Sequence, residues 1–142
     1  MNNIIGFLTS HWILSTSFLI LLIAFIANEW SLRSFGLPTL APVNAVDLIN
    51  HSDAKVIDIR SANAYQDGHI LGSLNIPMAQ LNQKLKSLEK YQDKPMIITC
   101  NVGQEAAKAA TLLKAQGFTQ IFLLQGGLQA WRTAGLPLTK KS

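Results

Sequence analysis

From Trp12 to Asn28 the chain is an almost unbroken apolar run, Trp-Ile-Leu-Ser-Thr-Ser-Phe-Leu-Ile-Leu-Leu-Ile-Ala-Phe-Ile-Ala-Asn. Peptide groups in hydrocarbon can bond only to one another, so a run of this length in lipid is a helix. Trp12 and Trp30 lie 18 positions apart, about 27 Å on a helix, close to the thickness of a bilayer core. Indole rings favour the headgroup level, and the pair predicts the two interfaces of one transmembrane helix. Ser15, Thr16 and Ser17 are tolerated there by bonding back to the preceding turn. A cleaved signal peptide fits less well, because no Lys or Arg precedes the run and a cut after Ala27 leaves bulky Phe25 at −3. A buried core helix fits less well still, since the segment is apolar on every face. Arg33 is the basic side chain nearest either end, which predicts a cytoplasmic C-terminal side.

Beyond this run the pattern changes. Gly36, Pro38 and Pro42 end the helix and predict a linker, because proline denies a helix its donors. Short apolar runs then alternate with helical spacing. Val56 to Ile59, Met96 to Cys100 and Ile121 to Leu124 read as buried strands, with a shorter one from Ser73 to Ile76 closed by Pro77. Leu81, Leu85 and Leu88 keep helical spacing, as do Ala106, Ala110 and Leu113, and Gly117 suits a helix C-cap. Strand–helix alternation of this period predicts an α/β domain with a parallel sheet covered on both faces. The expected organisation is a membrane anchor over residues 1–30, a linker over 31–40 and one globular domain over 41–142.

Charge sharpens that division. The 142 residues are 14% charged, against roughly 25% in an ordinary soluble domain. The deficit lies at the N-terminus, since all 12 basic and 8 acidic side chains fall from Glu29 onward. The net charge of +4 does not predict nucleic-acid binding, because the lysines are dispersed and Lys84, Lys86, Lys90 and Lys94 read as a solvated face. A single cysteine excludes an intramolecular disulfide framework. Cys100, His11, His51 and His69 show no metal-ligand spacing, and neither a metal nor a cofactor is expected.

In parallel α/β sheets chemistry gathers where strands end and helices begin. Cys100 stands at such a place, followed by Asn101-Val102-Gly103-Gln104-Glu105 and an Ala-rich helix. Gly103 permits a sharp turn that aims several amides inward as an anion cradle. A thiol there faces partial positive charge, which suits a nucleophile. A free cysteine is as often a small buried hydrophobe, and position alone leaves the two readings even.

The motifs around it narrow the choice. Val56-Ile57-Asp58-Ile59-Arg60 followed by Tyr65-Gln66-Asp67-Gly68-His69-Ile70-Leu71-Gly72-Ser73-Leu74-Asn75-Ile76-Pro77 resembles the first signature of the rhodanese-like family. Gly126-Gly127-Leu128-Gln129-Ala130-Trp131-Arg132-Thr133-Ala134-Gly135-Leu136-Pro137 resembles its second. With an apolar run in front, the layout is similar to bacterial membrane-anchored single-domain rhodaneses. The resemblance implies a rhodanese-like parallel sheet flanked by helices and sulfurtransferase chemistry. Sulfane sulfur from a donor would be held as a persulfide on Cys100, in a backbone cradle of Asn101, Val102, Gly103, Gln104, Glu105 and Ala106, and passed to a thiol acceptor. His69, Gly126 and Gly127 then shape turns, Trp131 anchors its helix, and Asp58 and Arg60 pair with each other or bond loop amides near the site. The implied location is a bacterial-type inner membrane, single-pass, with the domain facing the cytoplasm.

Two departures qualify the resemblance. Many active members carry Arg five residues after the cysteine, where this chain has Glu105. A carboxylate about 5 Å from one donor charge at an effective dielectric near 20 costs about 3 kcal/mol, unless it turns toward Lys108. The same replacement removes the oxyanion-binding Arg of a Cys-x5-Arg phosphatase or arsenate reductase. Ala64 stands where the family commonly has Glu, so a partner for Arg60 must come from elsewhere. The alternative function is a non-catalytic module of the same fold that binds a protein partner at the membrane.

Overall fold

Two helices open the chain, α1 (Asn2–Ser10) and α2 (Trp12–Arg33). In this computed structural model residues 2–33 and 36–140 are described. Ser34 and Phe35 of the expected linker, the terminal Lys141 and Ser142, and the side chains of Trp30 and Arg33 lie outside the described residues. The N–H of His11 donates to Phe7 O and that of Ser15 to His11 O, so backbone bonding continues through the junction of the two helices. Thr16 and Ser17 donate their hydroxyls to Ile13 O at 3.0 and 2.8 Å, which satisfies both within the helix. Apolar side chains cover the whole circumference of α2, with Leu14, Phe18, Ile20, Leu21 and Phe25 each about two-thirds exposed.

The expected transmembrane helix is not supported. Among the described residues, no helix is long and apolar enough to cross a membrane.

The chain divides into two units, residues 1–36 and 37–142. The second is built on a five-stranded sheet of order β1-β5-β4-β2-β3, all parallel. Its strands are β1 (Thr39–Leu40), β2 (Lys55–Asp58), β3 (Leu74–Asn75), β4 (Met96–Thr99) and β5 (Ile121–Leu124). Its helices are α3 (Pro42–Ser52), α4 (Ala62–Asp67), α5 (Leu81–Leu88), α6 (Gln104–Ala115) and α7 (Gly127–Thr133). Alternate strand residues feed opposite faces. Ile57, Met96 and Ile98 pack with Leu81, Leu88, Ala106, Ala110 and Leu113 on one side. Val56 and Ile97 pack with Ala45, Leu128 and Trp131 on the other. Burial on both faces is what makes these strands continuous apolar runs rather than alternating ones.

β1 falls inside the segment read as linker. It joins the sheet edge through Leu123 N–H to Pro38 O (2.9 Å) and Gln125 N–H to Leu40 O (2.8 Å). α3 starts immediately afterwards with Pro42 in its first turn, where the missing N–H costs nothing. Beyond α6 the chain turns at Gly117, whose φ of +94° suits glycine.

Candidate active site

Cys100 is the first residue beyond β4, which ends at Thr99, one position short of the expected strand end. It is buried, and it shares the sheet face of Met96 and Ile98. The chain then bends through Asn101 and Val102 to Gly103, whose φ of +99° is open to glycine alone among common residues. That bend brings the Gly103 N–H to 2.9 Å from Cys100 Sγ. An amide donor at the sulfur meets the negative charge of a thiolate or persulfide.

The loop is held from behind by α7. Cys100 O accepts from Leu128 N–H at 2.9 Å and Asn101 O from Gln129 N–H at 3.1 Å. The approach is so close that a Cβ on Gly127 would lie 2.4 Å from Cys100 O and 2.7 Å from Asn101 O. Gly126, at φ +70°, has no room either, since its Cβ would meet Ala130 Cβ at 2.6 Å. The glycine pair of the second signature is thus a backbone clamp on the cysteine loop.

A cavity of about 390 Å³ opens over Cys100, lined by Arg60, Ser61, Ala64, Asp67, Asn101, Glu105 and Arg132. The six positions expected to form the cradle part company around it. Asn101 and Glu105 face the cavity, and Gly103 supplies the amide at the sulfur. Val102 instead lines a separate groove with Pro42, Gln129 and Ala130. Gln104 is exposed and lines neither, and Ala106 is packed in the core beneath α6.

The charges of the cavity are unequally committed. Arg60 Nη2 lies 2.7 Å from Asp58 Oδ2, and both side chains are over nine-tenths buried. The same nitrogen donates to Gly68 O at 2.7 Å, and Arg60 N–H donates to Asp58 Oδ1 at 3.0 Å. Asp58 and Gly68 thus replace the Glu missing at Ala64. The ion pairs among the described residues are Asp47–His51, Asp58–Arg60 and Asp53–Lys94. Glu105 therefore does not turn to Lys108 but keeps its carboxylate unpaired at the cavity rim. It also sits in the first turn of α6, where an acidic side chain meets the partial positive charge of the helix start.

Arg132 is the residue that sequence reasoning missed. The loop 101–105 carries no basic side chain, but Arg132, contributed by the segment after β5, puts a second guanidinium at the cavity. The available signal was chain order: in a parallel sheet the segments after β4 and β5 emerge side by side at the carboxyl edge. His69 is placed structurally, as expected. It is buried, stacks on Tyr65 at 3.7 Å and holds Nδ1 2.7 Å from Tyr65 O. Among the described residues, no group of His, Cys, Asp or Glu is arranged to hold a metal ion.

Comparison with known proteins agrees with this architecture. The family model for the rhodanese-like domain matches residues 42–134. YibN of Escherichia coli K12 is 32% identical over 141 residues, covering 99% of both chains. Thiosulfate sulfurtransferase GlpE of Pseudoalteromonas translucida is 37% identical over 89 residues, 63% of this chain and 83% of the relative. The crystal structure of a rhodanese-related protein from Thermoplasma volcanium superposes with a TM-score of 0.67 at 29% identity, covering 73% of this chain and 99% of the other.

Proposed function

This chain belongs to the rhodanese-like domain family, and we propose that it is a sulfurtransferase carrying sulfane sulfur as a persulfide on Cys100. The observation that carries the reading is the Gly103 amide 2.9 Å from Cys100 Sγ at the base of a small cavity. The thiolate of Cys100 attacks the sulfane sulfur of the donor, a new S–S bond forms, and the old one breaks with its electron pair on the leaving group. A thiol acceptor then takes the outer sulfur and regenerates Cys100. Gly103 N–H donates to the sulfur that bears charge, and the α7 clamp keeps that donor in place without reorganisation.

The test is mass spectrometry of the full chain after exposure to thiosulfate and to small organic persulfides. A gain of about 32 Da on Cys100, removed by a thiol acceptor, is expected. Failure of every donor to load Cys100 overturns the reading and favours a partner-binding module. The unpaired Glu105 and the apolar groove beside Val102 are the features that fit such a module.

The proposal includes attachment to a bilayer of bacterial inner-membrane type through residues 12–30, with the domain on the cytoplasmic side. The apolar circumference of α2 supports it. The full chain should sediment with membranes, a chain lacking residues 1–36 should not, and protease outside spheroplasts should spare the domain. Recovery of the full chain in the soluble fraction refutes attachment, and external digestion reverses the orientation.

A further inference from the structure

The cavity over Cys100 carries charge of both signs, and only part of it is spent inside the protein. Arg60 is bound to Asp58 and to Gly68 O. That pair is neutral overall and holds its shape. Arg132 differs, having no hydrogen-bond or ion-pair partner among the described residues. Its guanidinium hangs beside Gly68, 3.8 Å from where a Cβ of that residue would stand. Asp67 and Glu105 line the same cavity, and neither carboxylate is paired among the described residues. The uncommitted set is therefore one cation and two anions around a thiol, in a volume suited to a small molecule.

A dianion such as thiosulfate matches this set poorly, since one guanidinium attracts it and two carboxylates repel it. A molecule with a carboxylate and an ammonium matches both signs. We propose that Arg132, together with Asp67 and Glu105, makes the cavity selective for a zwitterionic sulfur donor, the persulfide of a small amino-acid thiol. The donor carboxylate sits on Arg132, where a planar guanidinium can take it in two parallel hydrogen bonds. The donor ammonium is drawn by the two acids. This rests on the sulfur-carrier reading of Cys100. The step balances without an outside oxidant: Cys100–S⁻ and R–S–SH give Cys100–S–SH and R–S⁻. The S–S bond of the donor breaks as that of Cys100 forms, and R–S⁻ takes a proton from water. Arg132 is a specificity-determining residue in this scheme, acting on binding rather than on the transferring sulfur.

The test measures the kcat/KM of sulfur loading on the full chain with four donors. They are cysteine persulfide (both charges), 3-mercaptopropionate persulfide (carboxylate only), cysteamine persulfide (ammonium only) and thiosulfate. Arg132→Gln should lower the ratio of mercaptopropionate to cysteamine persulfide by about fivefold, the upper range for an ion pair at an exposed rim. The loss should appear in KM, and Arg132→Lys should restore part of it. The Asp67→Asn/Glu105→Gln double variant should move two donors in opposite directions, raising thiosulfate loading and lowering that of cysteamine persulfide. Both donor ratios staying unchanged in these variants overturns the proposal while leaving the carrier function intact. Absence of loading from all four donors removes the carrier reading and this inference with it. All three positions are exposed, and equal melting temperatures establish that the variants fold.

Discussion

Replacing Gly127 by alanine tests how the fold holds the cysteine loop. Two costs add at this position. Its φ is +61°, and an L side chain in that region costs about 1–2 kcal/mol. The new Cβ would also stand 2.4 Å from Cys100 O and 2.7 Å from Asn101 O, backbone atoms that cannot rotate away. The loop must withdraw from α7, which loosens the bonds from Leu128 N–H (2.9 Å) and Gln129 N–H (3.1 Å), each worth about 1 kcal/mol. The expected loss is about 3–4 kcal/mol. Gly135 is the control, with φ +72° but nothing within 4 Å of a Cβ, so Gly135→Ala should lose only the backbone cost of about 1–2 kcal/mol. Equilibrium urea unfolding followed by Trp131 fluorescence, with Trp12 and Trp30 replaced by Phe, measures both. Persulfide loading on Cys100 should fall in Gly127→Ala alone, because the Gly103 amide leaves the sulfur as the loop moves. Equal destabilisation by the two substitutions, or normal loading in Gly127→Ala, would refute the clamp.

Other consequences can be checked separately. Glu105→Arg exchanges a negative for a positive charge at the rim and should raise thiosulfate turnover by about tenfold; an unchanged rate shows that the carboxylate does not reach the donor. Asp58→Asn leaves Arg60 buried without its counter-charge and should cost about 3–5 kcal/mol in urea unfolding, whereas a loss below about 1 kcal/mol would mean that water already screens the pair. A chain starting at Leu37 should melt cooperatively, while one starting at Ala41 loses β1 and bares the β5 edge. The shorter chain should be less stable by about 2 kcal/mol and prone to association, and identical melts would make β1 dispensable.

The sequence alone determined the class of the domain, because burial on both faces of a parallel sheet leaves a visible trace. Val56–Ile59, Met96–Cys100 and Ile121–Leu124 are apolar without alternation, and the observed β2, β4 and β5 lie there within a residue or so at each end. The position of Cys100 was legible for the same reason, since a strand ending ahead of Gly103 and a helical Ala pattern leaves few places for it. The family signatures were legible too, but the close approach of Gly127, the first residue of α7, to Cys100 O was not. β1 was not legible: two residues beside two prolines carry no pattern of their own, and they become a strand only by borrowing the donors and acceptors of β5. Nor was the membrane helix settled by composition, since apolarity along a chain does not by itself establish a crossing. The company Cys100 keeps was settled by contacts between distant strands. Asp67 follows β2, Glu105 follows β4 and Arg132 follows β5, so in sequence they are strangers. The strand order β5-β4-β2 gathers these three carboxyl-end segments over one sulfur, and local pattern carries no record of a contact that exists only because distant strands are neighbours. The pairing of Arg60 with Asp58, two positions away, was within reach of the sequence, whereas the lack of a partner for Arg132 among the described residues depends on distance in space, which the order of residues does not contain.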